Sequence, residues 1–209
     1  MNGDSELTEV LPAHEYFKPE RMNALTDGVF AIVLTLLVIE LKLPEQDLPT
    51  LVLLRDDWHV FLAWLISFLA LARFWLVHQS ITAGMRFCRT TTLNLNFAVL
   101  GAVSLVPFSA DTIGTARFSE PWSTVVFAAN IGLLSITVGL MARHVTREPR
   151  LLHPGHPVTV LGRHRTHHLY LLPVIALAAG LLAFAHPYVA VGLLTAEFVV
   201  FNWINRRRR

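Results

Sequence analysis

The 209-residue chain is 54% hydrophobic and only 15% charged, and its mean hydropathy of +0.51 is too high for an ordinary soluble domain. A single cysteine excludes a disulfide within the chain and any Cys-x-x-Cys metal or redox pair. The net charge is only +2, and the pI near 9.0 reads as a topology signal rather than as a nucleic-acid footprint.

In chain order, residues 1–20 carry Asp4, Glu6, Glu9, Glu15 and Glu20 where a secretory signal would have a basic start and an apolar stretch. No cleavable signal is visible, and this segment is expected to be cytoplasmic. Residues 21–205 are expected to form one unit of six membrane helices, because a span needs about 20 mostly apolar residues. The spans are read at Met22 to Lys42, Trp58 to Gln79, Thr92 to Ala110, Trp122 to Arg143, Leu169 to Ala185 and Tyr188 to Ile204. The last two are short and only His186 and Pro187 separate them. Residues 206–209, all arginine, form a basic tail.

With the amino terminus inside, the inner segments hold Lys18, Arg21, Arg86, Arg89, Arg143, Arg147, Arg150, Arg163, Arg165 and Arg206 to Arg209. The outer loops hold Lys42, Arg55 and Arg117. This is the asymmetry of the positive-inside rule, and an even number of spans returns the carboxy terminus to the inside. Lys is scarce beside Arg, Ala and Leu, which points to a GC-rich bacterial genome and hence to the cell membrane. No internal duplication is visible.

On a helix of 3.6 residues per turn, Leu25, Ile32, Leu36 and Ile39 of the first span share one narrow stripe, flanked by Val29 and Thr35. Asp27, Phe30 and Leu34 lie opposite. Taken alone, such a stripe is a contact with lipid or with another helix. Residues 21–40, RMNALTDGVFAIVLTLLVIE, change that reading. They resemble the signature of the transmembrane protein 175 family of potassium channels, in which RxxxFSD is followed by GVFAI, TLL and a Glu. The match runs through Arg21, Leu25, Thr26, Asp27, Gly28, Val29, Phe30, Ala31, Ile32, Thr35, Leu36, Leu37 and Glu40; Leu25 stands for Phe and Thr26 for Ser. Beyond the first span the resemblance is looser, through Trp75, His78, Asn94, Pro107 and Phe108.

The resemblance implies a prokaryotic member of that family: an all-α membrane protein whose first helix lines the central pore of a homotetramer, with Ile32, Leu36 and Ile39 turned to the axis. It implies potassium as the permeant ion and no cofactor. Nothing resembles the TVGYG filter, so aliphatic rings would gate by dewetting, with Ile32 the narrowest point. The Thr35 hydroxyl has two readings left open: it helps select the ion, or it bonds back to the carbonyl of Ala31. Under this topology the carbonyl end of the helix faces outward beside Glu40, Glu45, Asp47, Asp56 and Asp57, which would gather cations. Asp56 and Asp57 can also be read as solvated loop carboxylates.

Asp27 lies within the membrane but off the stripe, and an unpaired carboxylate there is costly. If the first hairpin turns near Thr50, residues whose numbers sum to about 100 share a depth, which sets Asp27 level with Arg73 and near Trp75. His78 and Asn94 fall in the same layer. These residues, with Thr26 and with Arg21 at the surface, are expected to anchor the first helix, in line with the role of RxxxFSD in the resembled family.

Three features stay outside this reading. Glu197 is a proton site or a shallow hydrated acid near Asn202. His164, His167 and His168 are spaced for a metal, for proton modulation, or as part of a basic loop beside anionic headgroups. A secondary cation transporter or cation/proton exchanger is the alternative function. No HExxH, no GxSxG and no paired carboxylates near a His are present, so no enzyme is expected.

Overall fold

The computed structural model describes residues 17–39, 41, 52, 55–154 and 166–196. Helix α1 spans Pro19–Ile39, α2 Trp58–Thr82, α3 Thr90–Ser104, α4 Val106–Thr115, α5 Pro121–Arg147 and α6 Thr166–Leu182. A short apolar helix, α7, follows over Pro187–Ala196. Among the described residues, four segments have the length and apolarity of a membrane span: α1, α2, the joined pair α3 and α4 over Thr90–Thr115, and α5. The fifth and sixth expected spans correspond to the shorter apolar helices, with Leu171–Leu182 as the apolar part of α6. The part of the sixth span beyond residue 196 lies outside the described residues.

The third span continues to Thr115 rather than stopping at Ala110. Pro107 has no N–H to return to the preceding turn, so it breaks the span at Leu105, and the helix resumes with Ser109 N–H donating to Leu105 O at 3.1 Å. The span ends in a turn where Arg117 and Phe118 take left-handed φ of 55° and 56°. Helix α5 then starts at a Glu-Pro pair: the Glu120 carboxylate accepts the free N–H groups of Trp122 (3.2 Å) and Ser123 (2.7 Å).

α1 packs against α2 and α3, α5 against α3 and α4, and α6 against α5. α1 and α6 therefore lie on opposite sides of the bundle. Close approach relies on small residues: a Cβ added at Gly132 of α5 would sit 3.3 Å from Ala176 Cβ of α6.

The end of the bundle that carries Pro19 is stitched by main-chain bonds. Phe17 and Cys88 exchange N–H···O bonds of 2.7 Å, Arg86 N–H donates to Leu151 O at 2.7 Å, and His153 N–H donates to Gly84 O at 3.0 Å. The α2–α3 connection thus holds both the entry to α1 and the 3-10 turn Pro149–Leu151. Arg89 and Glu148 pair at 3.2 Å beside it. Cys88 is fully buried in this clamp, and burial, with Glu20 nearby, pushes its thiol up to about 11.

Candidate functional site

α1 is divided lengthwise. Met22, Thr26, Phe30, Val33 and Leu37 are buried among the other helices, whereas Leu25, Leu36, Ile32 and Ile39 are 46%, 40%, 60% and 65% exposed. The exposed set is the aliphatic stripe read from the sequence. Thr35 is exposed on its flank, and its hydroxyl donates to Ile32 O at 2.7 Å. The acceptor is the carbonyl three residues back, not that of Ala31. A donated proton leaves the Thr oxygen its lone pairs, so this bond is compatible with an oxygen that also meets a cation.

Two polar groups fix the rotation of α1. On its exposed flank, Asp27 Oδ1 accepts from Trp75 Nε1–H at 2.9 Å and from the Gln79 side-chain amide. Trp75 and Gln79 are four residues apart on α2 and so share one face. On the buried side, Thr26 donates to Met22 O at 2.9 Å and accepts from Asn96 Nδ2 at 2.9 Å, while Asn96 Oδ1 accepts from His78 Nε2–H at 2.8 Å. Thr26, Asn96 and His78 are all buried, at 0%, 1% and 0% exposure. This chain joins α1, α2 and α3 at one depth.

The expected anchor residues separate into those within these contacts and those outside. Thr26, Asp27, Trp75 and His78 take part. Asn94 is exposed; its place is taken by Asn96, because two residues turn α3 by about 200° and carry Asn94 to the opposite face. Arg73 is likewise about 200° from Trp75 on α2, and it is buried at 9% exposure rather than on the Asp27 side. Arg21 is exposed and lies four residues before Leu25, at the end of the aliphatic stripe. Gln79 and Asn96 were missed. Their signal was present: each is an amide inside an apolar run, four residues after Trp75 and Thr92 respectively.

At the other end of the bundle, Asp56 is exposed but Asp57 is 7% exposed. Asp57 Oδ1 lies 3.6 Å from His59 Nε2 and 3.7 Å from Arg117 Nη2, and His59 Nδ1–H donates to Gly114 O at 2.7 Å. Asp57 is therefore a buried partner joining the start of α2 to the end of α4, not a solvated loop acid. Glu40, Glu45, Asp47, Glu197 and Asn202 lie outside the described residues, as do His164 and the side chains of His167 and His168. Among the described residues, no three His, Cys, Asp or Glu side chains are grouped to hold a metal.

Apolar helices of this length, laid in one bundle with a polar layer between three of them, define a multi-pass helical membrane protein. The family model described as "Endosomal/lysosomal potassium channel TMEM175" matches residues 21–107. A potassium channel of Streptomyces collinus is 29% identical over 140 residues, covering 64% of this chain and 68% of that one. A potassium channel of a Chryseobacterium species is 26% identical over 175 residues, covering 82% and 86%. The fold is similar to the crystal structure of a lysosomal potassium-selective channel TMEM175 homologue from Chamaesiphon minutus, with a TM-score of 0.75 at 25% identity over 88% of this chain and 96% of that one. The chain is thus similar to the TMEM175 potassium channels in sequence over residues 21–107 and in fold.

Proposed function

We propose that the chain is the subunit of a potassium-permeable cation channel of the cell membrane, a homotetramer in which four copies of α1 surround the pore. Ile32, Leu36 and Ile39 form a hydrophobic gate, with Ile32 at its narrowest ring and Thr35 on the flank of the passage. Asp27, Trp75 and Gln79, with Thr26, Asn96 and His78 behind, hold each stripe at the axis. The observation that carries this reading is the row of large aliphatic side chains left exposed on α1 while the opposite face of the same helix is buried.

Rings of Ile and Leu offer an ion no oxygen to replace its hydration, so a narrow neck dewets and blocks while a slightly wider one fills and conducts. Sign selectivity comes from elsewhere. With both termini cytoplasmic, the carbonyl end of α1 faces the outer mouth with partial negative charge, and Glu40 and Glu45 reinforce it. The names of the relatives support potassium as the permeant ion and channel activity rather than catalysis.

Reconstituted in proteoliposomes, the protein should pass current whose reversal potential follows the potassium gradient and ignores the proton gradient. An exchanger would move potassium only against a counter-ion. Ile32→Asn should wet the neck, raising conductance and lowering discrimination between potassium and sodium. Parental behaviour of that variant would remove Ile32 from the constriction.

A further inference from the structure

α1 is exposed over a wider arc than a pore requires. At about 100° per residue, the aliphatic stripe is bordered on one side by the buried face that carries Thr26 toward α3. On its other side comes a third face, made of Ala24, Gly28 and Ala31 with Thr35 at its far end, all exposed; a Cβ added at Gly28 would meet nothing within 4 Å. This third face runs round to Asp27 and the edge of α2. Asp27 is itself exposed, as is Trp75, although both sit at membrane depth. A carboxylate at that depth does not face hydrocarbon, so a polar partner covers it.

A matching surface lies on the other flank of the same chain. Asn94, Phe97, Ala98, Gly101 and Leu105 share one exposed face of α3, with Phe97 60% and Leu105 48% exposed and open space around Gly101. The Thr26–Asn96 bond sets the level of the two helices, which both run away from the stitched end. Equal steps along them place Ala24 level with Asn94, Gly28 with Ala98 and Ala31 with Gly101. Rotation about an axis normal to the membrane preserves height, so the same levels meet between neighbouring copies.

We propose that the Ala24, Gly28 and Ala31 face of one copy receives the exposed α3 face of the next copy, with Asn94 of the latter donating its amide to Asp27 of the former. Phe97 fills the hollow over the small residues, which lets the two helices approach closely. The surfaces are different patches on each copy, so the contact is head-to-tail and closes into a ring. It rests on the placement of α1 at the axis and adds which face meets which neighbour. It also gives Asn94, which lies outside its own chain's polar relay, a partner.

The test is disulfide trapping in the full chain with Cys88→Ser as background. Gly28→Cys combined with Ala98→Cys should trap a covalent tetramer, because each copy then links to both neighbours; each single variant can give at most dimers. Ile32→Cys alone, across the axis, should give dimers. Dimers from Ile32→Cys without tetramers from the 28/98 pair would overturn the contact and leave the axial pore standing. Failure of both would overturn the two together. Asn94→Asp, which sets a second carboxylate against Asp27, should move the protein from tetramer toward monomer in size exclusion, whereas Asn94→Ala should weaken the tetramer less. A tetramer indifferent to Asn94→Asp would overturn the Asn94–Asp27 bond.

Discussion

Trp75 donates its indole N–H to Asp27 Oδ1 over 2.9 Å, and Gln79 donates to the same oxygen from one turn further along α2. Two donors on one face of one helix hold a single acceptor on another. This fixes the rotation of α1 rather than merely its position, and rotation decides whether Ile32 or Ala31 faces a given neighbour.

Replacing Trp75 with Phe keeps the ring and removes the donor. A hydrogen bond to a charged group is worth about 1.5–3 kcal/mol; Gln79 still donates to the same oxygen, so the expected loss is at the low end, about 1.5 kcal/mol. The variant should melt a few degrees lower in detergent, and Asp27→Ala should lower the midpoint further because both donors lose their acceptor. An unchanged midpoint for Asp27→Ala would remove the anchoring role.

Asn96 is a harsher site. Asn96→Leu withdraws partners from Thr26 and His78 at once, and both are buried. The His78 Nε2–H is left unsatisfied at a cost of about 1–3 kcal/mol and Thr26 keeps only its bond to Met22 O, so this variant should be less stable than Trp75→Phe. Asn94→Leu, two residues away on the exposed face, should leave the fold of the single chain intact. Thermal melts of the two variants side by side separate the positions; equal losses would contradict the relay.

The aliphatic stripe and the first four spans were legible because they are periodic: one residue type recurring at helical spacing leaves little choice of face. The polar layer was legible only in kind. Depth arithmetic placed a partner for Asp27 within a few residues of Trp75, but it assumed a uniform rise and ignored the face, so it chose Arg73 over Gln79 and Asn94 over Asn96. Two residues are only about 3 Å of height yet about half a turn of rotation, so a small error in register reverses a contact. For Asp57 the sequence leaves two readings, an outer-mouth acid or a solvated loop acid, because its partners His59 and Arg117 meet only where the third span ends, at Thr115 rather than Ala110.

Charge pairing at the stitched end should matter much less than the polar layer. Arg89 and Glu148, 3.2 Å apart, have side chains about a third exposed, and such pairs contribute roughly 0–1 kcal/mol. Arg89→Ala is expected to shift the melting midpoint less than Asn96→Leu does, and the shift should shrink as salt is raised. A loss comparable to that of Asn96→Leu would mean that the clamp, not the relay, dominates.

Cys88 reports on the same clamp. Its thiol is held up to about 11 in the folded chain, against about 8.5 for a free cysteine. Because the folded value is raised, folding favours the protonated form: the contribution is fully present below about 8.5 and is lost as pH rises through about 11. Folded protein at pH 8 should therefore react with a maleimide far more slowly than unfolded protein. Cys88→Ala should flatten the decline in stability between those two pH values. Rapid labelling of the folded chain at pH 8 would show that the clamp opens.

Glycine substitutions should divide by what lies opposite each Cβ. At Gly114 the added carbon would stand 3.2 Å from Ala63 Cβ and 3.5 Å from Val60 Cα, so α4 and α2 must part slightly. The His59 bond to Gly114 O, at 2.7 Å, would be strained by the same movement. At Gly192 of α7 the added carbon meets nothing within 4 Å, and alanine in a helix interior is favoured over glycine by roughly 0.5–1 kcal/mol. Gly192→Ala is expected to hold or raise the melting midpoint and Gly114→Ala to lower it by the equivalent of about 1 kcal/mol. If Gly114→Ala proves as benign as Gly192→Ala, the close packing of α2 on α4 is looser than these distances require, and the buried Asp57 pairing beside it loses its support.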